Sequence, residues 1–338
     1  MIAALDPDDA GVEWACCEYC SPSWPPLPVL RSLLEIENLR RTANWDVRRD
    51  SIARWLTFWK RLATPLTDES GALILLPSAD KRARREEGLT MYWVAHRGES
   101  EDAPENTLAS VNLAWERGIR AVEIDVHLDA DGELIVCHDA DTLRTTGAKR
   151  IIRETSTAAL KALDAGRWRG AQWIGERLPL LSETLAIVPD DGRLFIEIKD
   201  EAEDVYPIAV SALVGALAAS GLRDDQIRVI AFSPGVLAMV KKAMPGIKTD
   251  YLFWVDNDSP GARQRWDKIV ETALSIGASG LAMGWQGLAK ANGVERARAA
   301  GLDAHVWTVD DVAIAAEVIA MAPDGIISNR AGALSRPL

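Results

Sequence analysis

The chain has 338 residues, 48% of them hydrophobic and 26% charged, which suits a soluble globular protein with one large barrel or two modest domains. A formal net charge of −12 excludes a general nucleic-acid binder, which needs a basic surface, but leaves room for a small anion in a locally positive site. No run approaches the ~20 consecutive apolar residues of a bilayer span, so stable membrane insertion is excluded as well.

Met1 to Ala10 is acidic and lacks the apolar core of a secretory signal, so the default compartment is the cytoplasm. Cys16, Cys17 and Cys20 crowd together with no histidine nearby, and Cys137 stands alone. Reduced thiols fit that pattern better than a disulfide framework or a zinc site. Residues 1–90 read as a mainly helical, partly irregular extension of unknown function. Its proline-rich stretch Ser21 to Pro28 cannot be regular helix, and helical segments follow over 29–41 and 46–62. In the second, Ile52, Trp55, Leu56, Trp59 and Leu62 form one apolar stripe, suited to packing on a neighbouring domain. Lys81 to Arg85 is balanced by Glu86 and Glu87 and reads as a solvated linker. Met91 stands just before the first strand and is a candidate start of the catalytic unit.

From 91 to 338 short apolar runs alternate with amphipathic stretches. The expected strands are 92–96, 121–126, 194–199, 227–232, 249–253, 279–284, 304–308 and 325–328. Helical patterns lie between them, as at Ile208 to Ala219, Val236 to Ala243, Trp266 to Ile276 and Val312 to Ala320. This rhythm predicts an α/β TIM (β/α)8 barrel, with a doubly wound open sheet as the alternative. Asp131-Gly132 is a hairpin signal, so Glu133 to Cys137 is expected to return antiparallel to the second strand and carry His138 over the barrel mouth. Residues 141–182 then form an excursion.

Strand alternation puts Glu123 and Asp125 on one face, where two ionised carboxylates repel unless a cation or a proton offsets them. The run Leu194 to Lys199 repeats the design with Glu197 and Lys199. His96 and Arg97 end the first strand, and barrel chemistry gathers at such C-terminal strand ends. Three oxygen ligands, Glu123, Asp125 and Glu197, suit a hard divalent ion, Mg²⁺ or Ca²⁺. Arg97 offers a planar fork and Lys199 a point charge for phosphate oxygens. His96 and His138 can divide acid and base roles. Together these predict metal-assisted displacement at phosphorus. His127 shares the acids' face but is expected at the rim, His305 reads as a barrel-filling histidine, and Trp254 and Trp285 could wall the pocket.

Those residues carry a resemblance. Ala95-His96-Arg97-Gly98, Pro104-Glu105-Asn106-Thr107, Glu123-Ile124-Asp125-Val126-His127-Leu128, Val136-Cys137-His138-Asp139, Glu197-Ile198-Lys199, Val306-Trp307-Thr308-Val309 and Gly325-Ile326-Ile327 resemble, in order and spacing, the glycerophosphodiester phosphodiesterase family. The resemblance covers 91–338 and not residues 1–90. It implies that His96 and His138 are the acid–base pair, that Glu123, Asp125 and Glu197 bind the metal, and that Arg97 and Lys199 hold the phosphate. Glu105 and Asn106 would support the first loop, and Trp307 would pack on the glycerol. The implied reaction releases glycerol 3-phosphate and an alcohol, by attack of the glycerol 2-hydroxyl and opening of a cyclic phosphate. A lysophospholipase D-type or cyclising enzyme, or a catalytically silent barrel used as a binding module, are the alternatives. One position departs from the family: an acidic residue commonly follows the final strand, where this chain has Asn329.

Overall fold

The structure, a computed structural model, describes residues 91–199, 202–255, 261–286 and 288–335. The expected helices over 29–41 and 46–62 lie outside the described residues, as do Cys16, Cys17 and Cys20.

The described strands are β1 (Tyr92–His96), β2 (Ala121–Leu128), β3 (Leu134–Val136), β4 (Arg193–Ile198), β5 (Ile227–Ala231), β6 (Lys248–Phe253), β7 (Gly280–Gly284), β8 (Asp303–Trp307) and β9 (Gly325–Ser328). All but β3 run parallel, and β1 pairs with both β2 and β9, which closes the sheet into a barrel. That closure removes the open doubly wound sheet. β3 adds antiparallel to the end of β2, with Val126 opposite Val136, as the Asp131-Gly132 turn predicts.

The first crossover carries α1 (Leu108–Glu116). The excursion after β3 holds the short α2 (Leu143–Thr146), α3 (Thr157–Lys161) and α4 (Leu181–Leu185). Beyond β4 come α5 (Tyr206–Ser220), α6 (Pro234–Ala243), α7 (Ala262–Ser275), α8 (Leu288–Ala291), α9 (Gly293–Ala299), α10 (Val312–Ala320) and α11 (Ala331–Leu334). The sequence places β9 and α10 at these limits. Helix α5 starts two residues earlier than expected, with Pro207 in its first turn, where a missing N–H costs nothing.

Period-two alternation sorts every barrel strand. The outward residues Val122, Ile124, Val126, Leu194 and Ile196 pack beneath the helices, and the inward residues Val94, Phe195, Ile230, Leu252 and Ile327 fill the lumen. At the lower end, buried Arg228 pairs with Asp250 and with Asp303 at 2.6 Å. His305 is fully buried, with its Nε2 2.7 Å from the Tyr92 hydroxyl and its Nδ1 2.7 Å from Asp250, so it fills the barrel as expected. Two residues further along the same inward rows, Val94 leads to His96, Phe195 to Glu197, His305 to Trp307 and Ile327 to Asn329. The apolar lumen is thus the floor on which the rim groups stand.

Two local features fix the first loop. Thr107 caps α1 by accepting from Ser110 N at 3.3 Å, and Ser110 Oγ accepts from Thr107 N at 3.3 Å, a reciprocal cap. Gly98 has φ +77°, and a Cβ there would come 2.4 Å from the Ser110 carbonyl carbon, so only glycine fits the close approach of loop and helix.

Candidate active site

Strand register alone brings the acids to one level. His96 stands opposite Glu123 across β1 and β2, and Asp125 opposite Glu197 across β2 and β4. Ligand oxygens of Glu123, Asp125 and Glu197 all lie within 4.8 Å of one another. All three side chains are buried. Bare carboxylates packed so closely repel strongly in a medium of low effective dielectric.

The surrounding groups offset that repulsion unevenly. Asp125 accepts from Asn106 Nδ2 at 2.8 Å and lies 3.3 Å from both Arg97 Nε and Lys199 Nζ. Burial pushes its carboxyl up, but the Lys199 and Arg97 charges outweigh that and hold it below its ordinary value. Glu197 accepts from Lys199 Nζ at 2.7 Å, yet burial and the neighbouring Asp125 charge push it up to about 7. Glu123 accepts from Arg97 N at 3.0 Å through Oε2, while Oε1 is buried without a partner among the described residues. Burial, then the Asp125 and Glu197 charges, raise it well above the usual carboxylate range. An orphaned buried oxygen, two raised carboxyls and an all-oxygen donor set fit a hard divalent cation.

The histidines stand on either side of this cluster. His96 Nδ1 is 2.7 Å from Asn329 Oδ1, and its Nε2 is 3.9 Å from Glu123 Oε2. Burial, aided by the Arg97 charge, lowers its pKa to about 4, so its imidazole is neutral near pH 7. His138 Nδ1 is 2.7 Å from Asp139 Oδ1, and burial lowers His138 as well. Arg144, whose Nε donates to Asp139 at 2.7 Å, holds the Asp139 carboxyl down at about 2. Arg97 occupies a left-handed backbone position, φ 58°, costing on the order of 1 kcal/mol. Its amide is thereby turned onto Glu123.

One cavity is lined by His96, Arg97, Glu123, His138, Glu197 and Lys199 on its polar side. Ile230, Phe232, Leu252, Ile327 and Trp307 make its apolar side. Phe232 meets Trp307 edge to face at 5.9 Å, and the Trp307 indole N–H is buried with no partner among the described residues. Glu105 and Asn106 stand behind this row. Asn106 grips Asp125, and Glu105 accepts from Arg97 at 3.0 Å and from Arg144 at 2.6 Å. Trp254 and Trp285 are not among the residues lining the cavity; Trp254 is 57% exposed, and Phe232 takes the place expected of them. His127 is buried rather than at the rim, because β2 runs on to Leu128 under the hairpin, and its Nε2 is 3.1 Å from the His138 carbonyl oxygen.

The sequence reading missed Asp139, Arg144, Ser100, Phe232 and Asp310. His138-Asp139 adjacency was the available signal for the first, and Arg144 is the first of several arginines after the hairpin, with nothing local to single it out. Asp310 had none, since its partner lies 19 residues on.

A closed parallel barrel that collects three acids, two cations and two imidazoles on its C-terminal rim is built as a hydrolase of phosphate esters. The sequence pattern of the glycerophosphoryl diester phosphodiesterase family matches residues 96–333, and the chain belongs to that family of phosphoric diester hydrolases. A glycerophosphodiester phosphodiesterase of Caldanaerobacter subterraneus subsp. tengcongensis is 31% identical over 237 residues, spanning 70% of this chain and 93% of that protein. One from Bacillus subtilis is 27% identical over 249 residues, 70% of this chain and 82% of its own. Among solved structures, an Oleispira antarctica phosphodiesterase in complex with the product sn-glycerol-3-phosphate superposes with a TM-score of 0.63 at 28% identity, covering 74% of this chain and 97% of that one.

Proposed function

We propose that this protein hydrolyses small glycerophosphodiesters to glycerol 3-phosphate and an alcohol, with a divalent cation, Mg²⁺ or Ca²⁺, held by Glu123, Asp125 and Glu197. The observation that carries the reading is the clustering of those three carboxylates beside one cavity that Glu123 and Glu197 line together with His96 and His138. A cation bound there would supply positive charge to the phosphoryl oxygens and favour ionisation of the attacking hydroxyl. Arg97 and Lys199 are suited to hold the non-bridging oxygens of the diester. The apolar side, Trp307 with Phe232, suits the glycerol carbons, and the free Trp307 indole N–H a glycerol oxygen.

In this reading the neutral His96 accepts the proton of the glycerol 2-hydroxyl as that oxygen attacks phosphorus. His138 must enter this step as the imidazolium, with one proton turned to the ionised Asp139 and the other passed to the departing alcohol oxygen, which leaves it neutral and able to act as the base of the next step. Water then opens the cyclic phosphate with the two roles exchanged. An internal nucleophile needs no second molecule to be positioned, an advantage of about 7–11 kcal/mol in the best-oriented cases.

Purified His96→Ala and His138→Ala are expected to lose about 10²–10⁴-fold in kcat on glycerophosphocholine or glycerophosphoethanolamine while keeping their circular dichroism. Phosphorus NMR should show glycerol 3-phosphate as the end product, and EDTA should silence the wild type until Mg²⁺ or Ca²⁺ is returned. Near-normal turnover by either variant, or full activity in chelator, overturns the assignment. Accumulation of cyclic phosphate would point to a cyclising enzyme instead.

A further inference from the structure

We propose that Asp310 is a positioning residue that orients the Asn329 amide, and through it holds His96 with its proton on Nδ1 and a free lone pair on Nε2. The proposal rests on the reading of His96 as an acid–base group and adds two residues to it.

Asp310 lies just beyond β8 and Asn329 just beyond β9. Asp310 Oδ1 accepts from the Asn329 backbone N–H at 2.8 Å and from Ser328 Oγ at 3.0 Å, and its Oδ2 accepts from Asn329 Nδ2 at 2.6 Å. An amide side chain is nearly symmetric in shape, so its two ends are told apart only by their partners. A carboxylate offers acceptors alone, which compels Asn329 to turn its NH₂ toward Asp310. The carbonyl end, Oδ1, must then face the other way, where it stands 2.7 Å from His96 Nδ1 and accepts from Ser100 Oγ at 2.9 Å. An acceptor against Nδ1 requires a proton on Nδ1. The remaining ring nitrogen, Nε2, is the one 3.9 Å from Glu123 on the cavity side.

The departure at Asn329 is thereby explained. The negative charge that the family carries directly after its final strand stands one hydrogen bond further back in this chain, on Asp310. If the amide turned over, its NH₂ would face Nδ1, the ring proton would move to Nε2, and the lone pair that accepts the substrate proton would be gone.

Three variants test this: Asp310→Asn, Asn329→Asp, and the two together. Asp310→Asn removes the acceptor-only partner and frees the amide to turn. Asn329→Asp sets two carboxylates face to face. The double variant exchanges the roles: the amide now at position 310 can donate to the carboxylate now at position 329, which still accepts from His96. Each single variant is expected to lose at least about 100-fold in kcat on glycerophosphocholine at saturating Mg²⁺, with KM moved far less, because wrong-tautomer histidines cost about that much or more. The double variant should return to within about tenfold of wild type, the non-additivity expected of one hydrogen-bonded unit. Nitrogen-15 NMR of the ring nitrogens should find His96 protonated on Nδ1 in the wild type and in the double variant, and shifted toward Nε2–H in Asp310→Asn. That signal does not depend on turnover.

His96→Ala belongs in the same series. An active His96→Ala refutes the acid–base reading itself. An inactive His96→Ala beside an Asp310→Asn with wild-type kcat and an unchanged His96 spectrum refutes only the relay. Should Asp310→Asn fail to fold, the double variant decides alone: restored turnover supports the relay, and its absence in a folded barrel overturns it.

Discussion

Glu123 shows most sharply what the site costs the fold. The residue is 1% exposed and one of its carboxylate oxygens has no hydrogen-bond donor among the described residues. A carboxyl whose folded pKa lies above its unfolded value binds protons more tightly when folded. Its contribution is therefore full below the unfolded value, near 4.5, and is lost as pH rises through the folded value. Glu197, raised from 4.5 to about 7, behaves the same way. The metal-free protein should thus be destabilised by these groups at pH 8, and a bound cation should recover the loss. Glu123→Gln is expected to melt a few degrees higher than wild type in EDTA at pH 8, about 1–2 kcal/mol of stabilisation, while added Mg²⁺ or Ca²⁺ no longer raises its Tm. A lower melting point in chelator, or an undiminished response to metal, contradicts this account.

Among the elements, the hairpin and its excursion decide whether His138 is useful. β3 ends at Val136, Cys137 and Ile152 anchor the excursion in its own small apolar cluster with Leu160, and His138 emerges between barrel and excursion. Arg144 ties this layer to the first loop, donating to Asp139 and, at 2.6 Å, to Glu105, which in turn pairs with Arg97. The Arg144 side chain is 44% exposed, so these pairs add little to global stability, of order 0–1 kcal/mol. Their value is positional, since about 1 Å of misplacement can cost 10²-fold in rate. Arg144→Met should lower kcat about 10–100-fold with its Tm within about two degrees of wild type. Equal loss of stability and activity would instead make Arg144 a structural strut. The neighbouring strands were readable beforehand because strand alternation and flanking turns are local signals. The short helices of the excursion were not, since pieces of four or five residues carry no periodicity and are held by tertiary contacts.

Over the whole molecule, a protein of net charge −12 must attract an anionic diester. The site's three carboxylates and its two cations, Arg97 and Lys199, leave one negative charge when all are ionised. A bound divalent ion would turn that to one positive charge, and would then favour a phosphate there. Loading must displace whatever protons Glu123 and Glu197 hold, the second of them below about pH 7. Metal affinity should therefore fall as pH drops from 8 to 6. Calorimetric titration in buffers of different ionisation heat should register more proton release at pH 6 than at pH 8.5. Affinity flat across that range would mean that Glu197 is already ionised in the free protein.

The sequence by itself determined the strands, the barrel, and the sharing of one rim by Glu123, Asp125 and Glu197 with both histidines, Arg97 and Lys199. All of these follow from side-chain alternation along single strands and from the order of strands. Only the tertiary structure decided how His96 and His138 are held. Asn329 lies 233 residues from His96, and Arg144 lies 39 from Glu105. Periodicity has no reach over such separations. Closing the barrel places the ends of the first and last strands side by side, and that contact gives Asn329 its partners His96 and Ser100.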